Sequence, residues 1–300
     1  MTNRSSRAAA MAHLGALLIV GIWGASFVST KVLLDNSLTP TEIYILRFLL
    51  AYLIVLAICH RRLWSRTAAD ELLFAVCGMC AGSVYFLAEN TALEYTLTTN
   101  VALLTSTSPL FTAVLAGMLY RSERLSRGAW LGSGIAFVGV GCVIFNSSTS
   151  LEVRPLGDLL SLLAAISWSV YSLVLRRLNA VYDIWFITRK TFFYGVLTAV
   201  PFLLLQKPNE AFVHALQQPE VWFNIGFLGL LASLLCFALW ARIVKVLGAI
   251  SANNYMYLQP IFTMIISAIV LSERVGLMGY MGIALILGGL ALGDRLSGHK

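Results

Sequence analysis

The sequence predicts an all-α membrane protein whose ten transmembrane helices form two inverted-topology five-helix repeats. Three observations lead there. Hydrophobic residues make up 59% of the 300 and charged residues only 12%, with a mean hydropathy of +0.82. A soluble domain carries roughly 25% charged residues, so this chain cannot cover its own surface with polar groups and needs lipid as its solvent. Apolar runs recur at about the 20 residues that a helix needs to cross a ~30 Å hydrocarbon core. Finally, one pattern of proline, glutamate and glycine occurs twice, half a chain apart.

In order, the expected spans are His13–Leu34, Thr41–Ile58, Glu71–Thr91, Asn100–Leu119, Ala129–Phe145, Leu156–Leu175, Ile184–Leu205, Val221–Trp240, Ala249–Leu271 and Gly276–Leu292. The first is too long for a signal peptide and is followed by further spans, so it reads as a retained helix. Linkers are short and polar, as antiparallel neighbours require. The longest, Gln206–Glu220, holds an AFVHAL stretch expected to lie as a short interfacial helix. The formal charge of +7 does not point to nucleic acid, because the cations sit in short loops without interleaved aromatics. Fourteen of the 21 Lys and Arg fall on the side of the N-terminus, against Lys31, Arg154, Lys207 and Arg274 on the other. The positive-inside rule then places both termini in the cytoplasm, and hence the chain in the cell (inner) membrane. Trp64, Trp130, Trp185 and Trp222 stand near span ends, where an indole anchors at the headgroups.

The repeat divides the chain into residues 1–150 and 151–300. SPLFTAVLAGMLYRSER carries Pro109 and Glu123; QPIFTMIISAIVLSER carries Pro260 and Glu273. The proline-to-glutamate spacing is 14 in one and 13 in the other, and Gly132 and Gly282 each follow nine residues after the glutamate. ILRFLLAY pairs with ITRKTFFY, aligning Arg47 with Arg189, and Trp23 aligns with Trp168. Five spans per repeat is an odd number, so the second repeat enters the membrane upside down. Inverted repeats of this kind recur in secondary transporters, with the solute site near the midplane between them.

The intramembrane polar residues supply the candidate machinery. A mid-helix proline removes a backbone hydrogen bond and bends the helix, which membranes tolerate beside a cavity, so Pro109 and Pro260 are candidate hinges. Arg47 and Arg189 lie inside spans, where a charge is costly. Pairing of Arg47 with Glu273 and of Arg189 with Glu123 would link the halves as gates; snorkelling to the headgroups is the alternative. Glu89 is the acid well inside an apolar run, placed to carry a proton or to recognise an ammonium. Trp23, Ser26, Tyr85, Ser106, Thr107, Trp168, Tyr171, Asn253, Asn254, Tyr257 and Gln259 complete the expected cavity lining. Aromatic walls with a few neutral polar anchors suit a small amphipathic or zwitterionic solute. Cys77-x-x-Cys80 lies deep in an apolar run without a second pair and reads as small buried hydrophobes. No metal site or cofactor is expected. Gly78-x-x-x-Gly82 and Gly128-x-x-x-Gly132 read as places of close helix packing.

W-G-A-S-F at Trp23–Phe27, the run NVALLTSTSPLFTAVLAGMLYRSERLSRGAWLGSGIAFVGV and its echo SANNYMYLQPIFTMIISAIVLSERVGLMGYMGIALILGG resemble the EamA family of the drug/metabolite transporter superfamily. The resemblance covers nearly the whole chain. It implies ten helices in two inverted repeats and export of amino acids, metabolites or drugs. Within the family the chain is most similar to bacterial exporters of aromatic amino acids. The second repeat departs from the first where Glu89 faces Trp240 in the alignment. The expected function is export of small amphipathic metabolites, amino acids with aromatic or neutral side chains foremost, by alternating access. A multidrug or other metabolite carrier with proton coupling is the alternative, followed by a non-transporting scaffold. No H-E-x-x-H, Gly-rich phosphate loop or His–Ser–Asp set at membrane depth supports an enzyme, and no charge ring or repeated filter supports a channel. The expected partners are a small-molecule solute and the lipid bilayer, with the chain a monomer or a homodimer.

Overall fold

The computed structural model describes residues 2–60, 63–119, 127–146, 155–273 and 276–297, and every regular element among them is helical. In chain order these are α1 (Thr2–Asp35), α2 (Pro40–Ile58), α3 (Ala68–Tyr95), α4 (Thr98–Leu119), α5 (Arg127–Asn146), α6 (Pro155–Leu178), α7 (Ile184–Leu205), a one-turn α8 (Phe212–Ala215), α9 (Pro219–Leu247), α10 (249–270) and α11 (Leu277–Ser297). Six of them, α1, α2, α3, α4, α6 and α9, are long and apolar enough to cross a membrane. In α7 the adjacent Arg189 and Lys190 lower the hydropathy, and α10 is cut into shorter pieces.

Local chemistry sets the ends. Thr39 and Glu42 form a reciprocal capping box at the start of α2, each side chain accepting the other's backbone N–H, with Pro40 at the first helical position. Thr67 and Asp183 cap α3 and α7 in the same way, from single side chains. Gly248, at φ +82°, both ends α9 and starts α10, a left-handed turn that favours a residue without Cβ.

Two features at corresponding places interrupt the helices. In α3 a π-helical segment spans Met79–Ser83, with Gly82 at φ −117° and ψ −105°; in α9 another spans Phe227–Leu235. A π-bulge misaligns backbone groups and leaves carbonyls free for other donors. In α4 the helix breaks at Ser106–Thr107 immediately before Pro109, and in α10 a 3-10 segment Asn254–Leu258 precedes Pro260.

The helices pack in matched pairs. α1 lies on α10 as α6 lies on α4; α3 lies on α6 and α7 as α9 lies on α1 and α2. Meanwhile α2 meets α7, and α5 meets α11 in the most extensive pairing. Glycine makes that last contact possible. A Cβ at Gly132 would lie 2.2 Å from the carbonyl oxygen of Gly289, and one at Gly139 would lie 2.9 Å from that of Gly282. The small-residue stripe therefore serves packing within this chain, backbone against backbone. Gly78 and Gly82 play the same part on α3, against Tyr194 and Gly195 of α7. The main apolar core draws on both halves and is dominated by rings: Trp23, Phe48, Phe86, Trp168, Phe192, Phe237 and Trp240.

Candidate functional site

At the centre of that core a cavity is lined by Trp23, Ser26 and Phe27 of α1; Tyr85, Phe86 and Glu89 of α3; Thr105 and Ser108 of α4; Trp168 of α6; Phe237 of α9; and Met256 and Gln259 of α10. The free space is about 370 Å³ including its mouth.

The local breaks in the helices build this lining. Proline lacks the N–H that would bond the carbonyl four residues back, which takes that donor from Thr105 before Pro109; the carbonyl of Met256, before Pro260, accepts the N–H of Gln259 instead, within the 3-10 segment. Both residues line the cavity, as do Ser108 and Gln259, which immediately precede the prolines. The π segments contribute as well. Trp23 Nε1 donates to the carbonyl of Ala232 at 2.9 Å, inside the α9 segment, and Ser167 Oγ donates to that of Cys80 at 2.7 Å, inside the α3 segment. Each bulge is thereby tied to the first helix of the other half.

The walls are aromatic and interlocked. Trp23 and Trp168 meet edge to face at 5.2 Å, Trp240 is 5.0 Å from Trp23, and Tyr85 is 5.3 Å from Trp168. Trp168 Nε1 donates to Asn253 Oδ1 at 3.4 Å, while Asn253 Nδ2 donates to Thr112 Oγ1 at 2.7 Å and Ser172 Oγ at 3.0 Å. Glu89 is the carboxylate of the lining, with Tyr85 of the same lining one turn back on α3.

Of the residues singled out from sequence, Trp23, Ser26, Tyr85, Glu89, Trp168 and Gln259 are brought together here. Ser106 and Thr107 instead turn back to the carbonyls of Leu103 and Leu104, at 2.7 and 2.6 Å, where they finish the broken helix. Tyr171 packs behind Trp168 at 5.0 Å, and Asn253 sits behind the lining as its hydrogen-bond hub. Asn254 is exposed, and Tyr257 packs with Leu103, Leu104 and Ile286 away from the lining. Sequence reasoning missed Phe27, Phe86, Thr105, Ser108, Phe237 and Met256. The four-back and one-back positions from each proline would have pointed to Thr105, Ser108 and Met256; Phe237 follows a bulge that a simple helical period does not register.

Of the two expected gate pairs, the one between Arg47 and Glu273 differs in the structure. Arg47 does not meet Glu273. The Glu273 carboxylate accepts the backbone N–H groups of Thr98 and Thr99 at 2.9 and 3.3 Å and the Thr99 hydroxyl at 3.0 Å. It closes the first turn of α4, where unpaired N–H groups and the helix dipole favour an anion. Glu123 lies outside the described residues. Arg189 donates to the carbonyls of Cys59 and Leu63 at 2.6 and 3.2 Å, and its neighbour Lys190 pairs with Glu71. The five cysteines are free thiols, Cys77 and Cys80 included, and no cluster of metal-ligating side chains occurs among the described residues.

Apolar helices closed around an aromatic cavity with one carboxylate define a membrane carrier for small solutes. The chain belongs to the EamA-like transporter family, whose model matches residues 10–145 and 155–292. It is 27% identical over 269 residues to an uncharacterized transporter of Archaeoglobus fulgidus, covering 87% of this chain and 90% of the relative. It is 22% identical over 280 residues to a probable amino-acid metabolite efflux pump of Escherichia coli, with 92% of each chain covered. A probable terminal-alkyne amino-acid exporter of Streptantibioticus cattleyicolor is 25% identical over 283 residues, covering 93% of this chain and 92% of the relative. A solved crystal structure shares the fold, with a TM-score of 0.65 at 18% identity, covering 96% of this chain and 97% of the other.

Proposed function

We propose that this transporter exports small amphipathic metabolites, foremost amino acids with aromatic or neutral side chains, by alternating access between two five-helix repeats, residues 1–150 and 151–300. The observation that carries the reading is the lining of the central cavity. Its walls are aromatic, its polar groups are neutral apart from Glu89, and its lining comes from both halves. Such a surface fits an apolar side chain at one end and an ammonium at the other. Two relatives named for amino-acid efflux or export support the same class of solute.

In this reading α1 to α7 and α9 to α11 are the ten membrane-crossing helices. The matched packing pairs support opposite orientation of the two repeats, because α2–α7 and α5–α11 are what a two-fold axis in the membrane plane maps onto themselves. The charge bias supports an inner-membrane location with both termini cytoplasmic. Alternating access requires the halves to part on one side of the membrane at a time. The breaks before Pro109 and Pro260 and the two π segments are the points where the helices can yield with few hydrogen bonds lost. Trp23, Ser26, Tyr85, Glu89, Trp168 and Gln259 then contact solute directly, while Asn253 holds Trp168 in place.

The test is flux in proteoliposomes with a panel of amino acids, with and without a pH gradient. Saturable, trans-stimulated flux of neutral or aromatic amino acids is the expected result. If collapsing the pH gradient leaves the rate unchanged, movement is gradient-driven; if it abolishes uphill flux in the native protein, a proton travels with the cycle. No protein-dependent saturable flux of any amphipathic solute would overturn the reading.

A further inference from the structure

Arg47 is buried in α2 to 1% exposure, about two turns from the helix start. Its Nε donates to Ser233 Oγ at 3.0 Å, but Nη1 and Nη2 have no hydrogen-bond partner in the protein. Those two nitrogens carry four N–H groups on a permanent charge. The guanidinium lies 4.5 Å over the ring of Phe86 and 5.4 Å from that of Phe48. Cation–π contacts of this sort stabilise a buried charge by less than it loses when its donors are left unmet. A fold that only needed to bury Arg47 would give it carbonyls, as it does for Arg189.

Two further observations direct these donors toward a ligand. Phe86 both stacks on the guanidinium and lines the central cavity, so one ring separates the free N–H groups from the solute space. Glu89, one turn further along α3, also lines the cavity and supplies the nearby negative charge acting on Arg47, without an ion pair between the two. The hydroxyl of Tyr44, on the same face of α2 as Arg47, is likewise buried without a partner. The site therefore holds one cation with a free two-pronged face and one anion, close together and not bonded to each other.

We infer that Arg47 is the receptor for the solute's carboxylate, reached from the cavity by displacement of the Phe86 ring, with Glu89 receiving the ammonium. The inference rests on the amino-acid carrier reading and narrows it to zwitterions. A guanidinium binds a carboxylate through two parallel N–H···O bonds, which matches the two free nitrogens. A phosphate dianion would meet a single arginine and be repelled by Glu89, so the pair selects against it. The π segment Met79–Ser83 ends just before Tyr85 and Phe86 and leaves that stretch slack for the ring to move.

The experiment measures equilibrium binding to the detergent-purified full chain by quenching of the cavity tryptophans. Three probes of one shape are compared: L-phenylalanine, its amide without the carboxylate, and 3-phenylpropanoate without the ammonium. The native protein is expected to bind phenylalanine about tenfold or more tighter than either analogue. Arg47→Gln should remove the preference over the amide while leaving amide affinity unchanged, and Glu89→Gln should remove the preference over phenylpropanoate. Arg47→Lys should rescue part of the phenylalanine affinity through its charge. Equal affinity of the native protein for phenylalanine and its amide, or equal weakening of both by Arg47→Gln, overturns the inference. If Arg47→Gln does not fold, the native protein's discrimination between acid and amide decides alone. Failure of the inference is separable from failure of the carrier reading. Saturable flux that prefers neutral or cationic solutes and is untouched by Arg47→Lys removes only the former, whereas no flux of any solute removes both.

Discussion

Arg47 and Arg189 align in the repeated segments ILRFLLAY and ITRKTFFY, and both are buried beside phenylalanine rings, yet their hydrogen-bond partners differ. Arg189 works as a staple. With Lys190 it reaches across to the carbonyls of Cys59 and Leu63, and Lys190 closes on Glu71, which Tyr194 also contacts. The linker between α2 and α3 is thereby fastened to α7. Arg47 has Phe48 where Arg189 has Lys190, and it has no loop carbonyls within reach. Its charge is held by two rings and a serine. One arginine is tied to loop carbonyls, and the other leaves two nitrogens without a hydrogen-bond partner.

If this contrast is right, the two arginines respond oppositely to removal of charge. The largest loss of stability is expected for Glu71→Gln, which strands the buried ammonium of Lys190 and should cost about 3 kcal/mol in a reversible denaturation measurement. Arg189→Met follows, at about 2 kcal/mol, because it takes the charged donor from the Cys59 carbonyl and leaves Leu63 with Lys190 alone. Glu273→Gln should cost about 1 kcal/mol by weakening the cap on α4, visible as earlier hydrogen exchange at Thr98 and Thr99. Arg47→Met should change stability least, within about 1 kcal/mol in either direction, since an apolar side chain replaces a poorly satisfied charge. The same variant should nevertheless abolish discrimination between an amino acid and its amide. Should Arg47→Met prove as damaging as Arg189→Met, the two arginines share a structural role and the contrast collapses.

Part of the site was legible in the chain. The paired prolines locate the two broken helices, and the W-G-A-S-F segment with its partner Trp168 supplies the facing indoles. Glu89 stands out because a carboxylate in an apolar run demands a reason. The partners of Arg47 and Glu273 were not legible. A charge at a span end can meet another charge, a helix terminus or loop carbonyls, and spacing along the chain does not rank them. Glu273 chose the N–H groups of α4, which were both unpaired and near.

The sequence by itself determined that the chain is a helical membrane protein, since its composition admits no other solvent, and its twofold pattern of Pro, Glu and Gly marked a transporter of the EamA type. Tertiary structure alone decided which rings face one another, which residues line the cavity, and that Arg47 lies one ring away from it. The physical reason is the π segments in α3 and α9. Each shifts the angular phase of the residues beyond it, so Phe86, Glu89 and Phe237 face directions that a regular 3.6-residue period does not assign. Where those bulges sit depends on what the free carbonyls can find, and Trp23 and Ser167, which answer them, come from the opposite half of the chain.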